Sequence, residues 1–340
     1  MTCMRVLLTN DDGVDAEGLR AVRAVLAEYS DSVVTVAPAA DCSGFARRCT
    51  YSRPVAVTRV GGGRHPVYRL DGTPADCVRA GLLGGLAARA DLVVSGINHG
   101  ANLADDVAYS GTVAAGLEAA ILGTPAICLS QQTPSGSFSV NYYEDPDVPY
   151  DFSVAAEHGA RLARSVIQAR PAEPVVLNVN YPARPSEAAS LLTRAGRRAY
   201  PRAPAVEWTG DNEVRRLYLF GEPDGVIPEA DASPGTDLAA VRAGHVSVTP
   251  LSFAVEPGDL SPGLRSFIAR LSESFPLRSR LSSGSGAPLV VGRSGLIRGR
   301  GGRNHDPFGK KEFHDAERIV VLRARAWLQD VPACPAARLR

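Results

Sequence analysis

Apolar residues follow two different spacings along the first 130 positions. Four short runs rich in Val, Ile and Leu predict buried strands, and they lie at residues 4–9, 33–36, 91–97 and 126–130. Between these runs, apolar residues recur every three or four positions, which predicts helices near residues 19–26, 75–89 and 113–122. Strands that alternate with helices are typical of βαβ units. We therefore expect an α/β fold with a Rossmann-like, mostly parallel sheet and flanking helices.

The pattern becomes looser after residue 131. Residues 131–152 are polar and aromatic and are interpreted as a long loop, followed by a helix at 153–170 and a strand at 175–180. Residues 183–250 contain short β-like runs between Gly- and Pro-bearing turns, which predicts a β-hairpin arm on the main sheet. A C-terminal helix is expected at residues 264–275.

The near-neutral charge of the chain is a cancellation between two parts. The 340 residues carry a net charge of +1, but residues 278–340 hold 13 Lys+Arg against 5 Asp+Glu, which gives +8 there and −7 over residues 1–277. The basic segment is rich in Arg, Gly and Ser and has little apolar periodicity apart from a candidate short helix near residues 315–328. We expect one α/β domain at 1–277 and a largely disordered tail at 278–340. Nucleic-acid binding by this tail and an unselected solvated extension are both open.

Composition favours a soluble protein of a reducing compartment. Hydrophobic residues make up 45% and charged residues 21% of the chain, and no run of roughly 18 apolar residues is present. The N-terminus lacks the apolar stretch and cleavage site of a secretory signal. The six cysteines are scattered without a C-x-x-C pair, so buried thiols are expected and a thiolate metal site is disfavoured. The expectation is a cytoplasmic location without membrane association.

Oxygen-bearing side chains follow three of the predicted strands. Asp11 and Asp12 follow the first strand, Ser43 lies in the loop after the second, and Asn98 and Asn102 follow the strand at 91–97. The carboxyl ends of parallel strands meet at one edge of the sheet. Adjacent carboxylates repel each other, and no Lys or Arg lies nearby in sequence to neutralise them. An ordinary turn explains Asp-Asp-Gly by itself, but three converging strand ends favour a hard divalent cation over zinc.

A second candidate feature opens the helix at 113–122. Ser110, Gly111 and Thr112 precede this helix and offer two hydroxyls, backbone N–H groups and the positive end of the helix dipole. A simple N-cap would look the same in sequence. Beside a divalent cation, however, such a helix start suits a phosphate ester.

Six segments, in order, resemble the SurE family of metal-dependent nucleotidases and acid phosphatases. They are VLLTNDDG at 6–13, residues 37–44 with Ser43, DGTPADCV at 71–78, DLVVSGINHGANL at 91–103, DVAYSGTVAA at 106–115 and GTDLAAVRAGHVSVTPL at 235–251. The resemblance runs from about residue 4 to about residue 275. Several long motifs in one order are far more specific than any single short motif.

The resemblance implies a role for each candidate residue. The implied ligands of one divalent metal ion per subunit, Mg²⁺ or Mn²⁺, are Asp11, Asp12, Ser43 and Asn98. The implied lining of the phosphate pocket is Asn102, Ser110, Gly111 and Thr112. The implied activity is hydrolysis of nucleoside 5′-monophosphates, with 3′-monophosphates and short polyphosphate as substrates of some members. Homodimers or homotetramers with an exchanged C-terminal segment are implied as well.

This chain departs from the family pattern in three places. The family's usual Asn-Leu-Gly-x-Asp is Asn-Leu-Ala-Asp-Asp here, with Ala104 in place of glycine, and little effect on the chemistry is expected. The segment 131–152 is longer than in the simplest members. Residues 278–340 match nothing in the family, so no family property extends to them.

The expected catalytic set is Asp11, Asp12, Asn102 and Ser110. Asp11 or Asp12 would orient or deprotonate an attacking water, and the residues do not decide which. The Asn102 amide, with the N–H groups that open the helix, would stabilise the phosphoryl oxygens. Direct attack by Ser110 through a phosphoserine is the competing route.

The histidines near these motifs are interpreted without a catalytic role. His99 follows Asn98 and is expected to be a solvated loop residue, although an acid for the leaving alkoxide would be well placed there. His158 and His245 are expected within a helix and a strand as packing or surface residues.

Several other classes lack their required residues. A receiver domain needs a lysine after a late strand, a haloacid-dehalogenase phosphatase needs Asp-x-Asp, and a nicotinamide dehydrogenase needs G-x-G-x-x-G after the first strand. A non-catalytic nucleotide sensor of the same fold remains the alternative to an enzyme.

Overall fold

The computed structural model describes residues 4–136, 149–185, 190–198, 205–208, 215–218 and 233–252. The chain divides into two compact units, residues 1–255 and 256–340, and every described residue lies in the first. The helix expected at 264–275 and the basic tail at 278–340 lie outside the described residues. The domain boundary at 277 therefore stays a prediction.

A mixed sheet forms the centre of the first unit. The strands are β1 (Arg5–Thr9), β2 (Ser32–Pro38), β3 (Val57–Gly61), β4 (Val67–Leu70), β5 (Leu92–His99), β6 (Ala126–Gln131), β7 (Val176–Tyr181), β8 (Ser190–Leu192), β9 (Ala205–Trp208), β10 (Arg215–Tyr218) and β11 (Val246–Leu251). Nine of these described strands form one sheet in the order β3-β4-β2-β1-β5-β6-β7-β11-β8. The run from β4 to β7 is parallel throughout, while β3 and β11 are antiparallel to their neighbours β4 and β7. The predicted mostly parallel sheet is confirmed.

The hairpin predicted within 183–250 corresponds to a separate two-stranded sheet. β9 and β10 pair in antiparallel fashion, with Arg215 opposite Trp208 and Tyr218 opposite Ala205.

Helices cover both faces of the sheet. They are α1 (Glu17–Tyr29), α2 (Pro74–Leu82), α3 (Gly111–Ile121), α4 (Ser153–Ala169) and α5 (Asp237–Arg242), with a 3₁₀ helix at Ala104–Ala108. Alternate residues of β1 belong to different cores, because successive strand side chains point to opposite faces. Val6 and Leu8 pack in the core that includes α1 and α4, and Leu7 packs in the one that includes α2 and α3. The central strands are thus buried on both faces, as a parallel sheet requires.

The helix predicted at 75–89 is shorter than expected. α2 begins with Thr73 as N-cap in a capping box with Asp76, and it ends at Leu82. The glycine pair after Leu83 explains the early end, since Gly85 adopts a left-handed φ of 84°. Leu83, the C-cap residue of α2, is 62% exposed. The prediction was wrong over the second half of the segment.

The sheet order creates a crevice between β1 and β5. The chain leaves β1 through α1 towards β2 on one side, whereas it leaves β5 through α3 towards β6 on the other. Loops that follow β1 and β5 therefore diverge at their carboxyl ends and leave a crevice. Ligands of open α/β sheets bind at such a switch point.

The described cysteines are free thiols. Cys42, Cys77 and Cys128 are buried, and Cys49 is partly exposed. Burial raises the pKa of the Cys42 thiol to about 11 and that of Cys128 to about 12, so both stay protonated at neutral pH. Buried, inert thiols are therefore confirmed for these three residues.

No helix in the part of the chain that the structure describes combines the length and apolar character needed to cross a bilayer.

Candidate metal and phosphate site

Two loops and one helix meet at Asp11. The backbone N–H of Cys42 donates to the Asp11 carbonyl oxygen at 2.8 Å, which holds the loop after β2 against the loop after β1. The Thr112 hydroxyl donates to Asp11 Oδ1. A Cβ on Gly111 would lie 2.7 Å from Asp11 Cβ and Oδ2, so only glycine leaves room for the carboxylate. The N-terminus of α3 is therefore in direct contact with the first predicted ligand.

Asp11 is buried, and its surroundings disfavour the ionised carboxylate. It is 3% exposed, and desolvation together with the neighbouring Asp12 charge raises its pKa to about 7. Hydrogen bonds from Thr112 lower the pKa of Asp11 and so partly offset these two effects. A carboxyl held in this way gains from a neutralising positive charge, which is the behaviour expected of a cation ligand.

The buried side-chain oxygens of the described residues that have no hydrogen-bond partner include Oδ2 of Asp12 and Oδ1 of Asn98. Asn98 lies at the end of β5, and its Nδ2 donates to the Gly100 carbonyl at 2.9 Å, which fixes the orientation of the amide. Buried acceptors without donors are costly, and a cation would satisfy them. The residues present therefore fit a hard divalent ion.

The fourth predicted ligand lies on the loop after β2. The Ser43 hydroxyl donates to Asp41 Oδ1 at 2.6 Å, which leaves its oxygen lone pairs available. No group of three or more His, Cys, Asp or Glu side chains is arranged for a metal among the described residues. A metal bound in the crevice would therefore need amide and hydroxyl oxygens besides the two carboxylates.

The start of α3 has the features of an anion-binding site. Ser110 is the N-cap, and its Oγ accepts from the Val113 N–H at 3.1 Å. The side chain of Ser110 is buried at the same helix end that contacts Asp11. The hydroxyl proton of Ser110 and the N–H groups of the first turn can bind phosphate oxygens beside the cation ligands.

Asn102 is held by polar side chains that the sequence analysis did not identify. Its backbone N–H donates to Asn180 Oδ1 at 2.7 Å, and its carbonyl accepts from Asn178 and Asn180 at 2.9 and 3.0 Å. Its Nδ2 donates one hydrogen to Ser130 Oγ at 2.8 Å, which leaves a second hydrogen for a substrate. Asn178 and Asn180 occupy alternate positions of the apolar strand β7 and therefore point to one face. This pattern was the signal in the sequence that could have identified them.

The departure at Ala104 has a structural consequence. Ala104 adopts a left-handed φ of 53°, where glycine is favoured, and its N–H donates to the buried carboxylate of Asp237 at 2.9 Å. Asp237 also accepts from Gly196 and Leu238 at 2.8 Å each. This hydrogen bonding holds an unfavourable backbone conformation next to the Asn102 segment.

Ala104→Gly is expected to raise the free energy of unfolding by about 0.5–1 kcal/mol. The relief of left-handed strain exceeds the added flexibility of glycine in the unfolded chain. Urea titration measures the change, and Ala108→Gly is the control at a residue of the same 3₁₀ helix with an ordinary φ. A less stable Ala104→Gly protein would contradict the prediction.

His99 departs from its sequence interpretation, whereas His158 agrees with it. His99 is not a solvated loop residue: its side chain is 19% exposed, and its Nδ1 lies 3.3 Å from Asp12 Oδ2. His158 is a packing residue of α4, as predicted, and its ring nitrogens bond the Tyr181 hydroxyl at 2.9 Å and Ser190 Oγ at 2.8 Å. His245 lies one residue before β11 and is partly buried.

Fold and site together define an α/β protein with candidate cation and phosphate positions at a switch point, and comparisons identify its family. The family model described as Survival protein SurE matches residues 6–202. The chain is 40% identical over 250 residues to the 5′-nucleotidase SurE of Citrifermentans bemidjiense, covering 73% of this chain and 92% of the relative. It is 38% identical over 271 residues to that of Rhodopseudomonas palustris, covering 78% and 100%.

A solved structure agrees with the sequence relatives. The crystal structure of the SurE protein from Aquifex aeolicus matches with a TM-score of 0.61 and 31% identity, covering 78% of this chain and 99% of that one. The chain belongs to the SurE family.

Proposed function

We propose that this protein is a divalent-cation-dependent phosphatase that hydrolyses nucleoside 5′-monophosphates to nucleoside and phosphate. Nucleoside 3′-monophosphates and short polyphosphate are proposed as further substrates. The curated relatives are named 5′-nucleotidase SurE, which supports an enzyme over a non-catalytic sensor. The observation that carries the proposal is the pair of buried oxygens without donors, on Asp12 and Asn98, in a crevice where α3 begins against Asp11.

One divalent cation, Mg²⁺ or Mn²⁺, would be held by the two carboxylates, the Ser43 hydroxyl and the Asn98 amide oxygen. The proposed ligands are Asp11, Asp12, Ser43 and Asn98. When bound, the cation supplies positive charge that offsets the phosphoryl oxygens and makes nearby water more acidic. Thr112 keeps the Asp11 carboxylate in place through its hydroxyl.

The phosphoryl group would bind at the start of α3. The Ser110 hydroxyl, the first N–H groups at Gly111 and Thr112, and the remaining Asn102 amide hydrogen would donate to its oxygens. Because these donors are fixed by the helix and by Asn178, Asn180 and Ser130, they need little reorganisation when charge develops on the phosphoryl oxygens.

Two routes to the phosphorus atom are distinguished by one measurement. In the proposed route, Asp11 or Asp12 orients and deprotonates an attacking water, which displaces the nucleoside oxygen from phosphorus, and the nucleoside leaves with a proton from solvent. In the other route, Ser110 Oγ displaces the nucleoside oxygen in the same way, and water then hydrolyses the phosphoserine. Acid-quenched reactions with labelled substrate followed by peptide mapping detect phosphate on Ser110. The proposed route expects none.

The activity is tested with adenosine 5′-monophosphate. Phosphate release is expected with Mn²⁺ or Mg²⁺, is expected to stop on addition of EDTA, and is expected to return when excess Mn²⁺ is added. Binding of the nucleotide without phosphate release would instead support the sensor. Release unaffected by EDTA would contradict the cation-dependent proposal.

We also propose that the protein is a cytoplasmic homodimer or homotetramer. The SurE family resemblance supports the assembly, and the distribution of free thiols in the described core suits a reducing compartment. Light scattering coupled to size exclusion measures the assembly directly, and a monomer at micromolar concentration would contradict it.

A further inference from the structure

His99 lies between a predicted cation ligand and an aromatic wall. Its Nδ1 is 3.3 Å from Asp12 Oδ2, just beyond the usual hydrogen-bond distance, and the two side chains are 19% and 11% exposed. Asp12 Oδ2 has no other polar partner among the described residues. The imidazole is therefore placed to hold this carboxylate.

Aromatic side chains fix the ring on its other sides. Tyr150 and Phe152 stack with centroids 4.9 Å apart and planes 5° apart. The His99 ring meets both edge-on, with centroid distances of 4.9 and 5.0 Å and interplanar angles of 78° and 79°. Edge-to-face contacts of this kind favour one ring orientation.

The aromatic wall is itself tied to the sheet edge. Phe152 is buried and directly precedes α4. Gln131 Nε2, at the end of β6, donates to the Asp151 carbonyl at 3.0 Å, and the Gly100 N–H donates to the Gln131 carbonyl at 2.8 Å. Gly100, which follows His99 in the chain, and Asp151, which precedes Phe152, are thereby both held to the end of β6. A surface histidine would need none of these contacts.

We propose that His99 is a positioning residue that holds the Asp12 carboxylate in the orientation in which it binds the cation. The proposal rests on the proposed function, because it takes Asp12 as a ligand. His99 acts through Asp12 and does not contact the cation. Groups that hold a ligating carboxylate typically contribute about 10–100-fold in metal affinity.

The test is Mn²⁺ binding by the full chain, measured by electron paramagnetic resonance without substrate. His99→Phe keeps a ring against Tyr150 and Phe152 but removes the nitrogen, and it is expected to weaken Mn²⁺ binding about 10–100-fold. His99→Asn places an amide nitrogen near the position of Nδ1 and is expected to bind within a few-fold of the parent. His99→Gln carries the same amide one carbon farther out and is expected to bind as weakly as His99→Phe.

His158→Asn is the matched control, because His158 bonds Tyr181 and Ser190 and touches none of the proposed ligands. It is expected to leave Mn²⁺ affinity unchanged. If the role of His99 were purely structural, its substitutions would lower the melting temperature, but the Asn and Gln variants would bind Mn²⁺ with equal affinity.

The outcomes separate this inference from the proposed function. If the parent binds one Mn²⁺ and His99→Phe and His99→Gln bind it equally well, His99 does not position Asp12 and the cation site stands. If His99→Phe does not fold, equal affinity of the Asn and Gln variants overturns the inference. If the parent binds no Mn²⁺, both the inference and the cation site fail.

Discussion

Asp12→Asn is expected to lower cation-dependent hydrolysis of adenosine 5′-monophosphate by about 100-fold or more. Asparagine has the size of aspartate but is neutral, so the proposed ligand set would keep only the Asp11 charge to balance a divalent cation. The measurement is kcat/KM across a Mn²⁺ titration. Asp15→Asn is the matched control in the same loop, because its carboxylate is 82% exposed and pairs with Arg69 at the surface. Full activity of Asp12→Asn would remove Asp12 from the proposed ligand set.

Asp12→Asn is also expected to change how the stability of the protein depends on pH when EDTA is present. The raised pKa of Asp11, about 7 against an ordinary 3.8, penalises the folded state as this carboxyl ionises. The penalty is absent below about pH 4 and complete above about pH 7, so the melting temperature of the parent falls across this window. Asp12→Asn removes one of the two causes of the raised pKa and is expected to flatten the fall. Identical profiles would contradict the electrostatic coupling.

Gly111→Ala is expected to reduce activity about 10–100-fold and to weaken Mn²⁺ binding. Gly111 is the first residue of α3, and alanine has a higher helix propensity than glycine, so helix propensity does not explain a loss. The loss comes from the new methyl group, which would lie 2.7 Å from Asp11 Cβ and displace the carboxylate. A misplacement of about 1 Å in a catalytic group is sufficient for a loss of about 100-fold.

The control for Gly111→Ala is Gly61→Ala, where an added Cβ meets no atom within 4 Å. It is expected to keep the parent activity and Mn²⁺ affinity. Equal activity of Gly111→Ala and the parent would show that α3 can shift without moving Asp11.

Local sequence patterns predicted the parts of the fold that depend on near neighbours. The apolar runs that became β1, β5 and β6 stand out because both faces of a central parallel strand are buried. Ser110 was predictable as the start of α3 because an N-cap is defined by residues three positions away. The same local reasoning failed at the end of α2, where a glycine pair overrides the apolar spacing.

The sequence by itself determined the α/β class, the order of strands and helices along the chain, and the strand ends at which oxygen-bearing side chains gather. Only the tertiary structure decided which distant residues support them. Thr112 reaches Asp11 across 101 positions, Asn180 reaches Asn102 across 78, and Asp237 reaches Ala104 across 133. The His99 ring likewise contacts Tyr150 and Phe152, which lie about 50 positions further along the chain. Periodicity reports which face of an element is buried, whereas such contacts depend on how whole elements pack, and no local spacing encodes that.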